Sequence, residues 1–407
     1  MNKTYDIVVL GASGFTGKLV CEYIYTNYTQ KKIDLNWAIA GRNLKKLENI
    51  RNEVADKDIP IIIADSHDFN SLNSLTKKTK VVCTTVGPYA KYGTKLVESC
   101  INNNTHYCDL AGEVQWMHKI INKYHDDAKK NNVKIVHTCG FDSIPSDMGV
   151  YFINRKLKKT NQFAKKISMR VAGVKGKISG GTYASLNNIM KESYKNKDNY
   201  KILSNPYSLN PAKKNYGADK KDITKIKYDN ISKNWITPFI MATVNTKVVR
   251  RSNALTSYSY GKDFLYDEAT MTGKGFKGKV FAFLNVIPLI FVTAPPKSIL
   301  KKIANKIMPN PGEGPSKKQR EEGFYNLRFY IQSNNNKLIV AKVIGDMDPG
   351  YGSTSKMLAE SAICLAKDDL PELYGILTPS VAMGEKLLNR LQKSAGLTFK
   401  FDCWRIN

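Results

Sequence analysis

The sequence lacks the residue spacings that make metal sites and disulfide-exchange sites. Seven cysteines are spread over 407 residues without a C-x-x-C pair, and five histidines accompany them. A zinc site needs closely spaced cysteine or histidine ligands, so the sequence predicts no metal centre. The odd number of cysteines and their apolar surroundings indicate buried free thiols in a reducing compartment.

Acidic residues are also scarce. The chain has 63 lysines and arginines against 35 aspartates and glutamates, which gives a net charge of +28. Nucleic acid is the first partner that such a charge suggests, but the sequence contains no zinc spacing, RNA-binding motif or concentrated basic helix. We therefore expect no nucleic acid partner. An anionic cofactor, an acyl-carrier protein and an anionic membrane surface fit the charge equally well.

The chain lacks an apolar run long enough to span a bilayer, which takes about 20 residues. The most apolar segment, Val280 to Ala294, has 15 residues and is interrupted by Asn285 and Pro288. Two interpretations stay open: a buried or dimer-interface helix, and a segment that contacts a lipid surface while flanking lysines bind head groups. The first predicted strand begins within five residues of Met1. We therefore expect no secretory signal and an intracellular protein.

One motif near the N-terminus carries specific chemistry. The apolar run from Tyr5 to Leu10 is followed by Gly11, Gly14 and Gly17 and then by a helical pattern. This order is typical of the strand, turn and helix of a dinucleotide-binding βαβ unit. Gly11 permits the sharp exit from the strand, Gly14 lets backbone N–H groups approach a diphosphate, and Gly17 lets the helix pack closely. The predicted phosphate-binding residues are Gly11, Ser13, Gly14, Phe15, Thr16 and Gly17.

The residue after the second predicted strand indicates which dinucleotide binds. NAD sites usually place a carboxylate there to bind the ribose hydroxyls, but here the position is Arg42. A guanidinium can hold the 2′-phosphate of NADP through two hydrogen bonds, so we predict NADP rather than NAD. The alternative is an ordinary surface arginine. Asp65 follows the third predicted strand, Thr85 and Gly87 end the fourth, and these three complete the predicted cofactor site.

The first 150 residues predict an α/β fold with a doubly wound parallel sheet of the Rossmann type, because apolar strands alternate there with helices. From 151 to 350 this alternation stops. A long strand at 166–175 and a hairpin over 326–345 predict a second domain of the α+β class. Residues 191–233 are rich in Lys, Asn and Tyr and predict surface loops.

Several motifs along the chain together resemble the saccharopine dehydrogenase-like oxidoreductases. They are GASGFTG (11–17), AGR (40–42), TTVGPYAKYG (84–93), YCDLAGE (107–113), GFDSIPSDMG (140–149), SGGT (179–182) and ILTPSVAMGE (376–385). The chain is most similar to the branch that includes the trans-acting enoyl reductases of lipid synthesis and the animal proteins found at lipid droplets. The resemblance implies a Rossmann domain (1–150), an inserted α+β domain for substrate binding and dimerisation (151–350), and C-terminal helices that pack back on the first domain (351–407).

Enoyl reduction, which this resemblance implies, needs a hydride at one alkene carbon and a proton at the other. The catalytic candidates at the expected nicotinamide end are Tyr89, Tyr92 and Asp109. The two tyrosines are candidate proton donors because they follow the fourth strand. The alternative interpretation gives Tyr107 and Asp109 structural roles at a strand end and makes Asp142 the cap of a turn.

Two functions follow from these features. The first is an NADP-dependent reductase of a lipid-linked enoyl substrate or another hydrophobic substrate, and the alternative is a non-catalytic scaffold that binds nucleotide at a lipid surface. An amino-acid dehydrogenase ranks last. Its substrate carries several carboxylates and needs a cluster of arginines, whereas the only notable arginines of the second domain are Arg250, Arg251 and Arg328. We expect a homodimer that is cytoplasmic or peripheral on a lipid droplet or membrane.

Overall fold

Two sheets organise the chain. The computed structural model describes residues 3–54, 58–176, 180–214, 216–219, 221–295, 297–307, 314–335 and 337–405. The strands, in chain order, are β1 (Tyr5–Leu10), β2 (Trp37–Gly41), β3 (Ile61–Ile63), β4 (Thr79–Thr84), β5 (His106–Cys108), β6 (Lys134–Val136), β7 (Ala164–Lys175), β8 (Lys227–Asp229), β9 (Asn234–Thr237), β10 (Leu265–Gly273), β11 (Phe324–Ser333), β12 (Leu338–Gly345), β13 (Gly375–Leu377) and β14 (Leu397–Arg405).

Helices cover and connect these strands. They are α1 (Phe15–Ile24), α2 (Leu44–Val54), α3 (Phe69–Thr76), α4 (Tyr89–Tyr92), α5 (Thr94–Asn102), α6 (Val114–Lys130), α7 (Ile144–Lys158), α8 (Gly180–Lys195), α9 (Lys197–Ser204), α10 (Ala242–Leu255), α11 (Gly275–Thr293), α12 (Ile299–Ile307), α13 (Lys317–Glu321), α14 (Gly352–Lys367) and α15 (Pro379–Lys393). A π-helical turn (Tyr25–Thr29) extends α1, and a 3₁₀ turn (Ala212–Lys214) follows α9.

The first sheet, sheet A, is wholly parallel and runs in the order β13-β6-β5-β4-β1-β2-β3. Ile7, Val8 and Val9 on its central strand are fully buried, as expected where helices cover both faces of a parallel sheet. The predicted α/β fold with a doubly wound parallel sheet is therefore confirmed. The strand order reverses between β1 and β4, and in such sheets the ligand crevice opens at that point.

The second sheet, sheet B, is mixed and runs in the order β14-β12-β11-β7-β10-β9-β8. Its centre pairs β7 with β10 in parallel, while the remaining pairs are antiparallel. The long strand predicted at 166–175 is present as β7, and the predicted hairpin is present as β11 and β12. Residue 336 of the predicted hairpin turn lies outside the described residues.

The expectation that residues 191–233 form only loops is wrong. Helix α8 continues to Lys195, and α9 follows it after Asn196, whose side chain accepts a hydrogen bond from the N–H of Asp198 and so caps α9. Ile202 and Leu203 on α9 pack against the core that surrounds sheet A. Two apolar residues and one cap are enough for a short helix on a larger surface, although they are too few to produce a periodic pattern.

The apolar segment Val280 to Ala294 lies on α11 and is exposed along most of its length. Ala282 is buried, whereas Phe281, Phe283 and Leu284 are each more than half exposed. The interpretation that buries this segment in the core of a single chain is therefore wrong, and the dimer-interface and lipid-surface interpretations remain. Among the described residues, no helix combines the length and apolar character needed to cross a membrane.

The C-terminal segment contributes to both sheets. Helix α14 packs against α1 and β4, and β13 extends sheet A beside β6, while β14 pairs with β12 in sheet B. Buried Glu360 on α14 accepts hydrogen bonds from the hydroxyls of Tyr23 (2.8 Å) and Tyr28 (2.7 Å) and from Arg390 (3.1 Å). One carboxylate therefore joins α1, α14 and α15.

Replacing Glu360 tests this junction. We expect Glu360→Ala to lower the free energy of unfolding by about 3 kcal/mol, because it leaves two buried hydroxyls and a guanidinium without their shared acceptor. Chemical denaturation measures the change. The matched control is Glu372→Ala at an exposed position, which should change the stability by less than about 0.5 kcal/mol. Equal stabilities of the two variants would show that the junction contributes nothing.

Candidate functional site

The turn after β1 has the geometry of a diphosphate cradle. Gly11 adopts φ +90°, a left-handed conformation that favours glycine. A Cβ at Gly17 would lie 2.1 Å from the carbonyl oxygen of Gly11, and a Cβ at Gly11 would lie 2.8 Å from Thr85 Oγ1. Both positions therefore exclude any larger residue. The spacing of the three glycines reflects the close approach of α1 to the turn.

The N-terminus of α1 is open toward this turn. Gly14 is the residue before the helix, and no described side chain caps the first turn, which also contains no acidic residue. Ser13 and Gly14 are exposed, while Phe15 and Thr16 are partly exposed. Unpaired N–H groups and the positive end of a helix dipole together form a binding site for an anion such as a diphosphate.

Arg42 follows β2 at the same edge of sheet A. Its side chain is exposed and makes no ion pair with any residue in the described part of the chain. Asp65, beyond β3, is partly exposed and uses Oδ1 to accept a hydrogen bond from the N–H of His67 at 2.9 Å. Thr85 Oγ1 donates to the carbonyl of Gly11 at 3.2 Å, and Gly87 is exposed. The predicted cofactor residues thus lie along one edge of the sheet.

These residues fit NADP. The glycine turn and the uncapped start of α1 present N–H groups to a diphosphate. The position where an NAD site has an acid is Arg42, which has no ion-pair partner among the described residues. Arg42 would hold the 2′-phosphate, and the N–H groups at the start of α1 would hold the diphosphate. Within the described ranges, no three His, Cys, Asp or Glu side chains come together as metal ligands do.

The structure places Tyr89 inside the protein. Its hydroxyl donates to the carbonyl of Thr84 at 3.2 Å and accepts from the N–H of Leu110 at 3.1 Å. Burial raises the pKa of this hydroxyl well above its ordinary value. These contacts tie the loop after β4 to the loop after β5, and they occupy the hydroxyl that would donate a proton.

Asp109 is likewise fully buried and fully engaged. Its carboxylate accepts from the Tyr107 hydroxyl and from His137 Nδ1, both at 2.7 Å, and from the N–H groups of Ala111 (2.9 Å) and Thr138 (3.1 Å). These bonds hold the loops after β5 and β6 together. A catalytic role for Tyr89 and Asp109 stays a prediction, and the contacts support positioning roles.

Tyr92 and Glu113 differ in exposure. Tyr92, at the end of α4, is partly exposed and its ring lies 5.2 Å from the ring of His67.

Glu113 is buried and accepts hydrogen bonds from the N–H groups of Tyr89 (2.7 Å) and Ala90 (3.0 Å), and from the Ser185 hydroxyl (3.1 Å). Glu113 therefore orients α4, and it connects that helix to α8 of the second half of the chain.

Asp142 follows β6 at the same edge of the sheet and has fewer hydrogen-bond partners than Asp109 and Glu113. It is partly exposed, and its carboxylate has no side-chain hydrogen-bond partner among the described residues. A Cβ at Gly112 would lie 3.8 Å from Oδ1, and one at Gly140 would lie 3.3 Å from Oδ2 and 2.6 Å from the Leu110 side chain, so the backbone of both glycines approaches the carboxylate closely. Burial and the nearby Asp109 carboxylate raise the pKa of Asp142 to about 7, although its own backbone N–H lowers it. The expected role as a turn cap is not seen.

Two of the three arginines considered for an amino-acid substrate, Arg250 and Arg251, have other partners. Arg250 is buried and pairs with Asp219 at 2.8 Å. Arg251 is buried and donates to the carbonyls of Leu209 and Ile376 (2.6 Å to the latter), and burial lowers its pKa to about 9. Neither guanidinium is available to a substrate carboxylate, which argues against the amino-acid interpretation.

Comparisons with known proteins identify the family of the chain. The family model described as saccharopine dehydrogenase NADP binding domain matches residues 7–136. A trans-acting enoyl reductase of Mycobacterium ulcerans is 32% identical over 96% of this chain and 96% of its own. A trans-acting enoyl reductase of Mycobacterium tuberculosis has the same identity over the same shares.

The fold also has a solved counterpart. The apo saccharopine dehydrogenase (L-Glu forming) of Saccharomyces cerevisiae covers 98% of this chain and 99% of its own, with a TM-score of 0.56 and 13% identity. That likeness concerns the fold, while the mycobacterial relatives establish kinship over nearly the whole length. The chain belongs to the saccharopine dehydrogenase-like oxidoreductases, in the branch of the trans-acting enoyl reductases, and its N-terminal domain is the NADP-binding domain of that family.

Proposed function

We propose that the protein uses NADPH to reduce the carbon–carbon double bond of a hydrophobic enoyl substrate. The observation that carries this proposal is the exposed Arg42 beside an open glycine turn, an arrangement that favours the phosphorylated cofactor. The relatives named trans-acting enoyl reductases support the reaction type. A nucleotide-binding scaffold without activity is the alternative, and a turnover assay distinguishes the two.

The reduction needs one group from the chain itself. NADPH supplies a hydride when it is bound. The carbon next to the substrate carbonyl must then receive a proton from a protein side chain or from water. Asp142 fits this role because it follows β6 at the cofactor edge of sheet A, is partly exposed and has a pKa of about 7. A carboxyl with this pKa is about half protonated at neutral pH, so it can both donate a proton and take one up again.

The substrate class is supported by the surface of the second half. Helices α11 and α12 expose large apolar side chains: Phe276, Val280, Phe281, Phe283, Leu284, Ile287, Ile290, Ile299, Leu300, Ile303 and Ile307. Residues 274–307 also contain seven lysines and no acidic residue. Apolar side chains flanked by cations are typical of a segment that rests on an anionic lipid surface. We propose this contact for α11 and α12.

Helix α8 connects that surface to the cofactor edge. Ser185 on α8 donates to Glu113, which orients α4. Tyr183 on the same helix packs against Ala304 of α12 and donates to Asn305 at 2.7 Å. A hydrocarbon chain lying on α11 and α12 is therefore one helix away from the candidate site. This proximity supports a lipid-linked substrate. The expected homodimer stays a prediction.

The proton donor can be tested by substitution. We expect Asp142→Asn to lower kcat about a hundredfold or more for a trans-2-enoyl thioester, because the amide cannot donate the proton. The donor must be protonated, so the wild-type kcat should be constant below about pH 7 and fall above it. Oxidation of NADPH, followed by absorbance, measures both effects.

Two controls make this assay decisive. Asp263→Asn makes the same change at an exposed position and should leave kcat unchanged. Tyr92→Phe should also retain most activity, and a larger loss there than in Asp142→Asn would assign the proton to Tyr92. Wild-type protein that binds NADPH but turns over no enoyl or keto lipid would favour the scaffold.

The lipid contact is tested with vesicles. We expect the wild-type protein to float with vesicles of phosphatidylcholine and phosphatidylserine, and the double variant Ile287→Asp/Ile290→Asp to remain in solution. Both isoleucines are nearly half exposed (47% and 49%), so aspartate there meets solvent and the fold is retained.

The matched control is Ile33→Asp, at an equally exposed isoleucine (49%) in the first domain, which should float like the wild type. Equal flotation of the wild type and the double variant would rule out the lipid contact at this face. A wild-type dimer that the double variant converts to monomers, with no flotation of either, would assign α11 to a subunit interface.

A further inference from the structure

Phe15, the first residue of α1, is surrounded by elements from far along the chain. The ring of Tyr351 meets it edge to face at 4.7 Å between centroids, and the guanidinium carbon of Arg320 lies 5.6 Å from its centre. The backbone of Gly314 is so close that a Cβ there would lie 2.4 Å from the Phe15 ring. The segment that contains Gly314 and Arg320 therefore lies directly against the cofactor turn.

The backbone at Arg320 is well fixed. Ser316 and Gln319 form a reciprocal capping box at the start of α13, and the carbonyl of Arg320 accepts from the N–H of Asp348 at 3.0 Å. Asp348 in turn accepts from the N–H groups of Tyr351 and Gly352. These contacts fix the backbone at Arg320 before any ligand binds, which reduces the entropy that binding would cost.

Among the described residues, no carboxylate lies within ion-pair distance of the Arg320 guanidinium, although the Asp348 carboxylate is close enough to interact with its charge. One Nη donates to the carbonyl of Pro315 at 2.9 Å. The nearby Asp348 carboxylate is occupied by backbone N–H groups. Arg320 therefore adds a positive charge next to the positive end of the α1 dipole, whose first turn lacks an acidic residue. Two positive charges on neighbouring elements favour the binding of an anion near them.

We infer that Arg320 binds the diphosphate of the cofactor, as a ligand supplied by the second half of the chain. The inference rests on the cofactor binding in the proposed function and adds a second contact to it. Arg42 and Arg320 then have separate tasks. Arg42 distinguishes NADP from NAD through the 2′-phosphate, whereas Arg320 contacts a group that both dinucleotides carry.

Two substitutions and two fragments separate these tasks. We expect Arg320→Gln to raise the Kd of NADPH and of NADH alike, by about tenfold or more, because it removes a charge-assisted hydrogen bond. Arg42→Gln should raise the Kd of NADPH and leave the Kd of NADH nearly unchanged. Among the fragments, Arg320→Gln should weaken the binding of ADP but not that of adenosine 2′-monophosphate. Arg42→Gln should weaken the binding of adenosine 2′-monophosphate but not that of ADP. Calorimetric titration of the full chain measures every value.

The control is Lys317→Gln, on the same helix with a side chain 80% exposed, which should bind all ligands like the wild type. An unchanged Kd for NADPH in Arg320→Gln would overturn the inference and leave the proposed function standing. Equal weakening of both fragments would also overturn it, because it would show that Arg320 only packs against Phe15. Wild-type protein that fails to bind NADPH would overturn the proposed function itself.

Discussion

The close approach of Gly17 to the carbonyl of Gly11 is the constraint on which the site depends. With 2.1 Å between that oxygen and any Cβ at position 17, only glycine allows α1 to start where it does. The start of α1 directs unpaired N–H groups and the positive end of the helix dipole at one point above sheet A. Arg42, Thr85 and Asp142 follow β2, β4 and β6 at the same edge of sheet A. A displaced α1 would separate the diphosphate site from all of them.

The second half of the chain packs against the start of α1. Tyr351 and Gly314 contact Phe15, and the N–H of Gly180 donates to the Tyr351 hydroxyl at 3.1 Å, which brings the start of α8 to the same region. Glu360 on α14 binds the hydroxyls of Tyr23 and Tyr28 and so holds α14 against α1 and the π-helical turn that follows it. Residues from sheet A and residues beyond 300 thus meet at the start of α1. If the cofactor binds there as proposed, its binding is coupled to the packing of the two halves.

Local chemistry explains which features the sequence predicts correctly. The apolar strands of sheet A, the glycine turn and the arginine after β2 each depend on residues close together in sequence, and the structure has them at the expected places. The directions of side chains depend on tertiary packing. Position after β4 suggests Tyr89 as a donor, but the loop after β5 binds its hydroxyl. The pairing of Arg250 with Asp219 and the position of Gly314 against Phe15 join distant segments. No local pattern shows such contacts.

The central claim is that the glycine turn and Arg42 hold NADP. A fluorescence titration of the wild-type protein with NADPH and with NADH tests it most directly. The account predicts saturable binding of both, with NADPH at least about tenfold tighter because a guanidinium gains a charge-assisted contact with the 2′-phosphate. Equal affinities would contradict the role of Arg42, and no binding of either dinucleotide would contradict the account as a whole.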